Sequence, residues 1–476
     1  MAFTREISRL MFGVLIAFFI VIASASYWAI VGADSILLRD DNPRLVEALA
    51  RIQRGSIYDR SETLLVETIT EANETISRRY YHPEAYSILG YYSLRYGTAG
   101  VEAAFDALLS GATTTTPSAR VIQQDLLHRP QQGSDIRLTL DIDVQQTIIN
   151  AMEGSQGAAV VLSVPDGAVL GFVSLPTYDP NLLDDEWEQL IEAQGNPFFN
   201  RVLQGQYQPG GMLQTPLMVA GILSQQPFDI VTADANRPVP VDDMQVGCAL
   251  EPESPDLTYT EAYAYGCPYP FALLARELST ESLQNIFGAF QLTNPPTIAG
   301  FNTTALSPEI TETPQANLEP NLIEDIVGQG ELTINPLGMV TIAAAVINAG
   351  NAPQPYILDS YRTNDETWQR NPITLTSTPL MTANAARRLR ELMNNNVRMG
   401  ASMLAARPDL MIGGHSALVI SGDETQSWFM GYVSLSDQRG VAIALILEDT
   451  DNATDAAAIG GIILESAAHA LQQPID

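Results

Sequence analysis

The chain contains no lysine: all 24 basic side chains among its 476 residues are arginine. No register of any motif can therefore supply a side-chain amine. Positive charge is scarce as a whole, since 24 arginines face 55 acidic residues and leave a formal net charge of −31. That balance excludes nucleic-acid binding through phosphate contacts, which needs a basic patch, and it repels an anionic membrane surface. It reads first as a solvated acidic face that keeps an exported domain soluble, and second as adaptation to high salt. Cysteine is nearly absent, with only Cys248 and Cys267, and the four histidines (His82, His128, His415, His469) are scattered. No metal-ligand spacing arises from these residues, so neither a metal nor a cofactor is expected. In an exported segment the two cysteines form a disulfide, worth about 3 kcal/mol by loop entropy, or remain as two buried thiols.

Apolar residues make up 46% of the chain, enough for real cores in two or three domains. Residues 10–31, LMFGVLIAFFIVIASASYWAIV, carry no charge and are long enough to cross a bilayer as a helix. Arg5 and Arg9 precede them, which places residues 1–9 in the cytoplasm and the bulk of the chain outside. A cleaved signal peptide is the rival, because Ala23-Ser-Ala-Ser26 is a small-residue run after an apolar stretch.

Residues 32–133 read as a first exported region ending in linkers, Thr113-Thr-Thr-Thr-Pro117 and Arg129-Pro-Gln-Gln-Gly133. Residues 134–476 read as a second domain. There Arg137–Asp141 alternates like a strand, and 144–152 has helical spacing. Residues 158–162 and 169–174 form a hairpin about Asp166-Gly167. Helices are expected at 217–223, 271–278, 337–347 and 382–394, the third closed by Gly350 in a left-handed conformation. Strands at 428–433 and 441–447 and a last helix at 455–471 complete an α+β domain, one antiparallel sheet covered by helices. The Pro-rich stretches 226–270 and 293–320 read as long surface loops. There is no internal repeat.

Several blocks together carry a resemblance: Arg54-Gly-Ser-Ile-Tyr-Asp-Arg60, Arg79-Tyr-Tyr-His-Pro83, Tyr96-Gly-Thr-Ala-Gly-Val-Glu102, Leu138-Thr-Leu-Asp-Ile-Asp-Val-Gln145, Ser174-Leu-Pro-Thr-Tyr-Asp-Pro-Asn181, Gly328-Gln-Gly-Glu-Leu-Thr-Ile-Asn-Pro-Leu337 and Trp428-Phe-Met-Gly-Tyr432. From about residue 50 to the C-terminus the chain resembles a class B penicillin-binding protein, a monofunctional peptidoglycan transpeptidase. The resemblance implies a penicillin-binding/β-lactamase-like transpeptidase domain behind a membrane anchor and a small N-terminal domain. It favours the anchor over the signal peptide, and it implies membrane partners of the glycan-polymerising type. The arginine-bearing block Arg54–Arg60, paired with Glu102, would hold the two halves of the first region together, though as surface ion pairs these contribute little.

In that family three motifs meet in one cleft: a serine and a lysine one helical turn apart, a serine and an asparagine on a loop, and Lys-Thr-Gly on a strand. The serine needs a base within hydrogen-bond reach to become a nucleophile. Here Tyr207-Gln-Pro-Gly-Gly-Met-Leu-Gln214 puts Gly211 at the nucleophile position and Gln214 at the base position. An amide cannot take a proton near neutral pH. Gly266 and Pro268 stand for the second serine and the asparagine, and Gly414, His415 and Ser416 for Lys-Thr-Gly.

Three losses in one cleft lead to the expectation that the chain is not an enzyme but a pseudoenzyme, a scaffold or regulator of wall-synthesis partners. Two alternatives accompany it: an active D,D-transpeptidase or carboxypeptidase with a non-standard nucleophile, and a non-covalent sensor of peptidoglycan or a β-lactam. For the first, His415 and Ser416 are strand neighbours that point to opposite faces, Ser421, Asp423 and Glu424 lie in a solvated hairpin tip, and Cys267 is better explained by pairing or burial. For the second, the backbone N–H groups of Gly211 and Ala417 would remain as an oxyanion hole that holds a carbonyl or carboxylate without reacting.

Overall fold

The computed structural model describes residues 3–30, 52–70, 76–112, 131–301, 323–363, 367–372, 376–421, 424–435, 439–450 and 452–473. The linker 113–130 and most of the 293–320 stretch lie outside these residues. The N-terminal helix runs Phe3–Ile30, and its apolar stretch Ile7–Tyr27 is long enough to span a bilayer. It starts inside the segment read above as a tail.

The core is a five-stranded, wholly antiparallel sheet in the order Met411–Ser421, Glu424–Ser434, Gly440–Glu448, Gln156–Val164, Val169–Leu175. The period of two divides its side chains between two cores. Ala158, Val160, Phe172, Trp428, Met430, Ala442 and Ala444 face the apolar helix Pro336–Ile347 and the helix Gln214–Leu223. Ala159, Val161, Phe429, Val441 and Ile443 face Ile142–Ala151 and the C-terminal helix Ala453–Gln472. Side-chain caps fix several helix starts: Asp141 accepts from Val144 N–H, Asn335 from Gly338 N–H and Thr382 from Ala385 N–H. After Ile347 the left-handed residues are Ala349 and Gly350, and Gly350 N–H returns to the Ala345 carbonyl. The glycine expected to close the helix alone is thus the second of two.

A second sheet of six strands corrects the single-sheet expectation. Its order is Gln369–Arg370, Leu358–Arg362, Asp135–Leu138, Ile57–Tyr58, Leu64–Thr70, Ile76–Tyr80. The strand expected at Arg137–Asp141 begins at Asp135, ends at Leu138, and lies here, parallel to Ile57–Tyr58 and antiparallel to Leu358–Arg362. First region and second domain therefore share one hydrogen-bonded sheet. Gly55 is required where they meet, because a Cβ on it would lie 1.9 Å from the Ser134 carbonyl oxygen.

The Arg54–Glu102 pair is buried, contrary to the surface pair expected. The Arg54 Nη2–H donates to Glu102 Oε2 at 2.9 Å and Arg78 Nε–H to Oε1 at 2.6 Å, with the Glu102 side chain fully enclosed. Burial alone would raise the Glu102 carboxyl, but the Arg78 and Arg54 guanidiniums hold it below its ordinary value.

The stretch 226–270 is not a loop. It holds the ribbon Val239–Val241/Met244–Val246, the pair Val231–Thr232/Leu257–Thr258, the helix Tyr259–Tyr265 and the start of Pro268–Glu277. Thr258 and Glu261 form a reciprocal capping box at the first of these helices.

Candidate active-site cleft

The three motif segments converge on the edge strand Met411–Ser421. Gly211 lies in the 3-10 turn Gly210–Leu213 that leads into the helix Gln214–Leu223. The turn is held from two sides. Gly210 (φ +51°) donates its N–H to the Gly328 carbonyl at 2.8 Å, and Gln208 Nε2–H donates to the carbonyls of Gln329 and Gly330. From the sheet, Trp428 Nε1–H donates to the Gln208 carbonyl at 3.1 Å. A Cβ at position 211 would lie 3.1 Å from the Ala417 Cβ, so turn and strand are in direct contact. Gly211 N–H belongs to a first helical turn, where no intrahelical acceptor exists.

Gly266 (φ +65°) ends the helix Tyr259–Tyr265 in the left-handed conformation, and Pro268 opens the next helix. Between them Cys267 is bonded to Cys248 and holds no free thiol. A Cβ at 266 would lie 3.5 Å from the Ser416 carbonyl oxygen, which brings the second segment against the third.

On the edge strand Gly414, His415, Ser416 and Ala417 stand opposite Gly431, Met430, Phe429 and Trp428. A Cβ at 414 would fall 2.5 Å from the Phe429 ring, and one at 413 would fall 2.3 Å from the Tyr432 ring. Aromatic rings of the neighbouring strand thus fill the space that longer side chains would need. Ser416 shares a hydrogen bond with Ser402 at 3.0 Å, while His415 bonds to Asn396 and Gly211, so the two do not meet. Of the hairpin-tip residues, Glu424 is exposed and Asp423 lies outside the described residues.

His415 is the centre of a buried network. Its ring stacks on Tyr263 at 4.2 Å with the planes 7° apart, and Tyr263 OH shares a 2.8 Å hydrogen bond with Thr215 Oγ1. The Gly211 carbonyl, 3.0 Å from Nε2, only accepts, so Nε2 carries the proton. Nδ1 then accepts from Asn396 Nδ2–H at 3.1 Å, which fixes the neutral tautomer. Burial pushes the imidazolium value down to about 4, against a small opposing contribution from the Gly211 bond. The unfolded chain therefore takes up this proton first as pH falls. The stability the neutral ring contributes is full above about pH 6.5 and is lost toward about pH 4, at about 1.4 kcal/mol per pH unit. Nitrogen NMR of labelled histidine is expected to show a neutral Nε2–H ring at pH 6; a charged ring there would contradict the network.

Around the same turn, Gln214 and Gln329 are buried, and neither carboxamide has a hydrogen-bond partner for its oxygen or nitrogen among the described residues. Sequence reading found Gln214 and missed Gln329, Tyr263, Asn396 and Trp428. Gln329 stands in the Gly-Gln-Gly block that carried the resemblance, and Trp428 opens another such block. Tyr263 fell in the 226–270 stretch read as a loop, and Asn396 just past the helix expected at 382–394.

The profile described as penicillin binding protein transpeptidase domain matches residues 157–465, and that of the penicillin binding protein A dimerisation domain matches 54–136. The peptidoglycan D,D-transpeptidase PbpA of Mycolicibacterium smegmatis is 25% identical, covering 99% of this chain and 97% of that protein. Its Mycobacterium tuberculosis counterpart is also 25% identical over 97% and 98%. Among solved structures, the imipenem acyl-enzyme complex of M. tuberculosis penicillin-binding protein A superposes with a TM-score of 0.76 at 24% identity, over 89% of this chain and all of that one. A D,D-transpeptidase domain from Eggerthella lenta gives 0.73 at 21% identity, over 89% and 99%.

These relatives correct the expectation that the chain is not an enzyme: along almost its full length it aligns with proteins named as transpeptidases, and it shares the fold of penicillin-binding protein A. The residues at 211, 214 and 414–416 speak of one route for activating one serine. Scaffold and backbone donors are independent of them, so the class of the protein cannot be read from those side chains.

Proposed function

This chain belongs to the penicillin-binding protein transpeptidase family, a family of peptidoglycan synthesis, and from that premise we propose that it acts as a scaffold or regulator of wall-synthesis partners. In this reading residues 1–9 are cytoplasmic, 10–31 form the anchor, 32–133 are the partner-facing region and 134–476 the transpeptidase domain outside the membrane. Arg5 and Arg9 ahead of the apolar stretch support that orientation. The site residues in this reading are Gly211, Gln214, Gly266, Pro268, Gly414, His415 and Ser416 at the motif positions, with Gly211 and Ala417 as backbone donors.

The observation that carries the scaffold reading is the joint sheet. The region matching a dimerisation domain is hydrogen-bonded through Asp135–Leu138 to Leu358–Arg362, so a partner bound to either domain would be tied to one hydrogen-bonded unit. Affinity capture of the full chain from solubilised membranes is expected to recover a membrane protein of the glycan-polymerising type; recovery of no wall-synthesis protein overturns the proposal. The same preparation, exposed to a penicillin and weighed intact, reports any acyl adduct, and peptide mapping places it.

A further inference from the structure

Two whole carboxamides without partners at one turn are unusual, because nearly all buried polar groups in folded proteins are hydrogen-bonded. Gln214 and Gln329 are 3% and 6% exposed, and the oxygen and nitrogen of each lack a partner among the described residues. They flank the same two glycines. A Cβ at 211 would lie 3.5 Å from Gln214 Nε2, and a Cβ at 210 would lie 3.6 Å from Gln329 Nε2. Gly211 itself is half-buried, so the turn between them reaches the surface.

The chemistry of the missing partner follows from what surrounds the turn. Among the described residues no cation is placed against the turn: the chain has no lysine, His415 is held neutral by its two hydrogen bonds, and neighbours of the turn include Ala417, the Leu418 carbonyl, Val419 and the Gly328 backbone. A carboxylate offers acceptors only, so it would satisfy the two Nε2 groups and leave both Oε1 atoms unpaired. An amide offers a donor beside an acceptor and can pair with each carboxamide in both directions. Because no hydrogen bond holds either glutamine, both can turn toward an entering group without losing one.

We infer that Gln214 and Gln329 make the cleft a non-covalent recognition site for the amide groups of a peptide, one that prefers a carboxamide terminus to a carboxylate. This rests on the reading that the cleft serves peptidoglycan chemistry, and it is independent of the scaffold role.

The test is isothermal titration of the full chain in detergent, at pH 7, with acetyl-D-alanyl-D-alaninamide and with its free acid, which differ only in the terminal group. The amide is expected to bind at least about tenfold more tightly than the acid, the factor that about 1.4 kcal/mol represents. Gln214→Leu and Gln329→Leu should each weaken the amide about tenfold, a loss of the size one buried hydrogen bond carries. Both variants should keep the wild-type melting temperature or exceed it, since each removes unpaired polar atoms from a buried site. Equal or tighter binding of the acid overturns the inference. So does the absence of heat with the amide at millimolar concentration, or an amide affinity unchanged in both variants. Membrane capture with wild-type protein reads the scaffold proposal separately, so the two can fail independently.

Discussion

Replacing Glu102 by glutamine is expected to cost about 3–5 kcal/mol of folding stability, the range for breaking a buried ion pair by removing one partner. The carboxylate is fully enclosed and receives Arg54 on one oxygen and Arg78 on the other, and Arg78 also donates to the Gly55 carbonyl. Glutamine keeps the shape but leaves the Arg78 guanidinium beside a neutral amide and Arg54 with only the exposed Asp106 as counter-charge. The exposed pair Arg388–Glu391 on the helix Ala383–Met399 is the internal comparison. Glu391→Gln should change stability by less than about 0.5 kcal/mol. Guanidinium unfolding of both variants, read as midpoints at constant slope, checks the pair; equal effects would mean the Glu102 network contributes no more than a surface contact. The acid limb gives a second reading. Glu102's carboxyl is held below its ordinary value, so its contribution is full above the unfolded value and is lost as pH falls through the lower folded one. The His415 loss falls in a different window, between about pH 6.5 and 4, and should persist in Glu102→Gln.

Trp428→Ala is the second large effect, about 3–5 kcal/mol for emptying a buried tryptophan site. The ring is completely enclosed, sits edge-on to Tyr207 at 5.8 Å, and donates its indole N–H to the Gln208 carbonyl. Gln208 in turn grips the 329–330 backbone, so the loss reaches the cleft floor. Trp428→Phe keeps most of the apolar contact and removes one donor, which should cost about 1–3 kcal/mol. Unfolding midpoints together with near-ultraviolet circular dichroism separate packing from hydrogen bonding. A cost below about 1 kcal/mol for the alanine variant would mean that the ring is not packed as described.

The long periodic elements were legible in the chain. Residues 428–433, 441–447 and 455–471 all fall inside observed elements, because each repeats its apolar pattern over several turns or pleats. The 226–270 stretch was not, because its strands are two or three residues long and too short to show a period. The six-stranded sheet was hidden for another reason. One of its pairings joins Ile136 to Tyr361, and nothing local in either segment names so distant a partner. The Arg54–Glu102 pairing could be guessed from residue types, but its burial depends on Arg54, the strands Leu64–Thr70 and Ile76–Tyr80 and the helix Gly100–Ala104 arriving together. At the cleft, the motif positions were legible by resemblance. The carboxamides and the His415 network were not, since Asn396 and Tyr263 come from separate helices. The inactivity inferred from the three motif segments went beyond what those side chains can say about a chain whose relatives are named transpeptidases.

The shared sheet also governs what a protease could achieve. A cut between residues 224 and 335 would leave an N-terminal fragment holding strands Asp135–Leu138 and Gln156–Val164. The C-terminal fragment would hold their partners Leu358–Arg362 and Gly440–Glu448. The two pieces would stay clasped through both sheets, so a nicked molecule would keep the region that matches the dimerisation domain and its cleft in a single body.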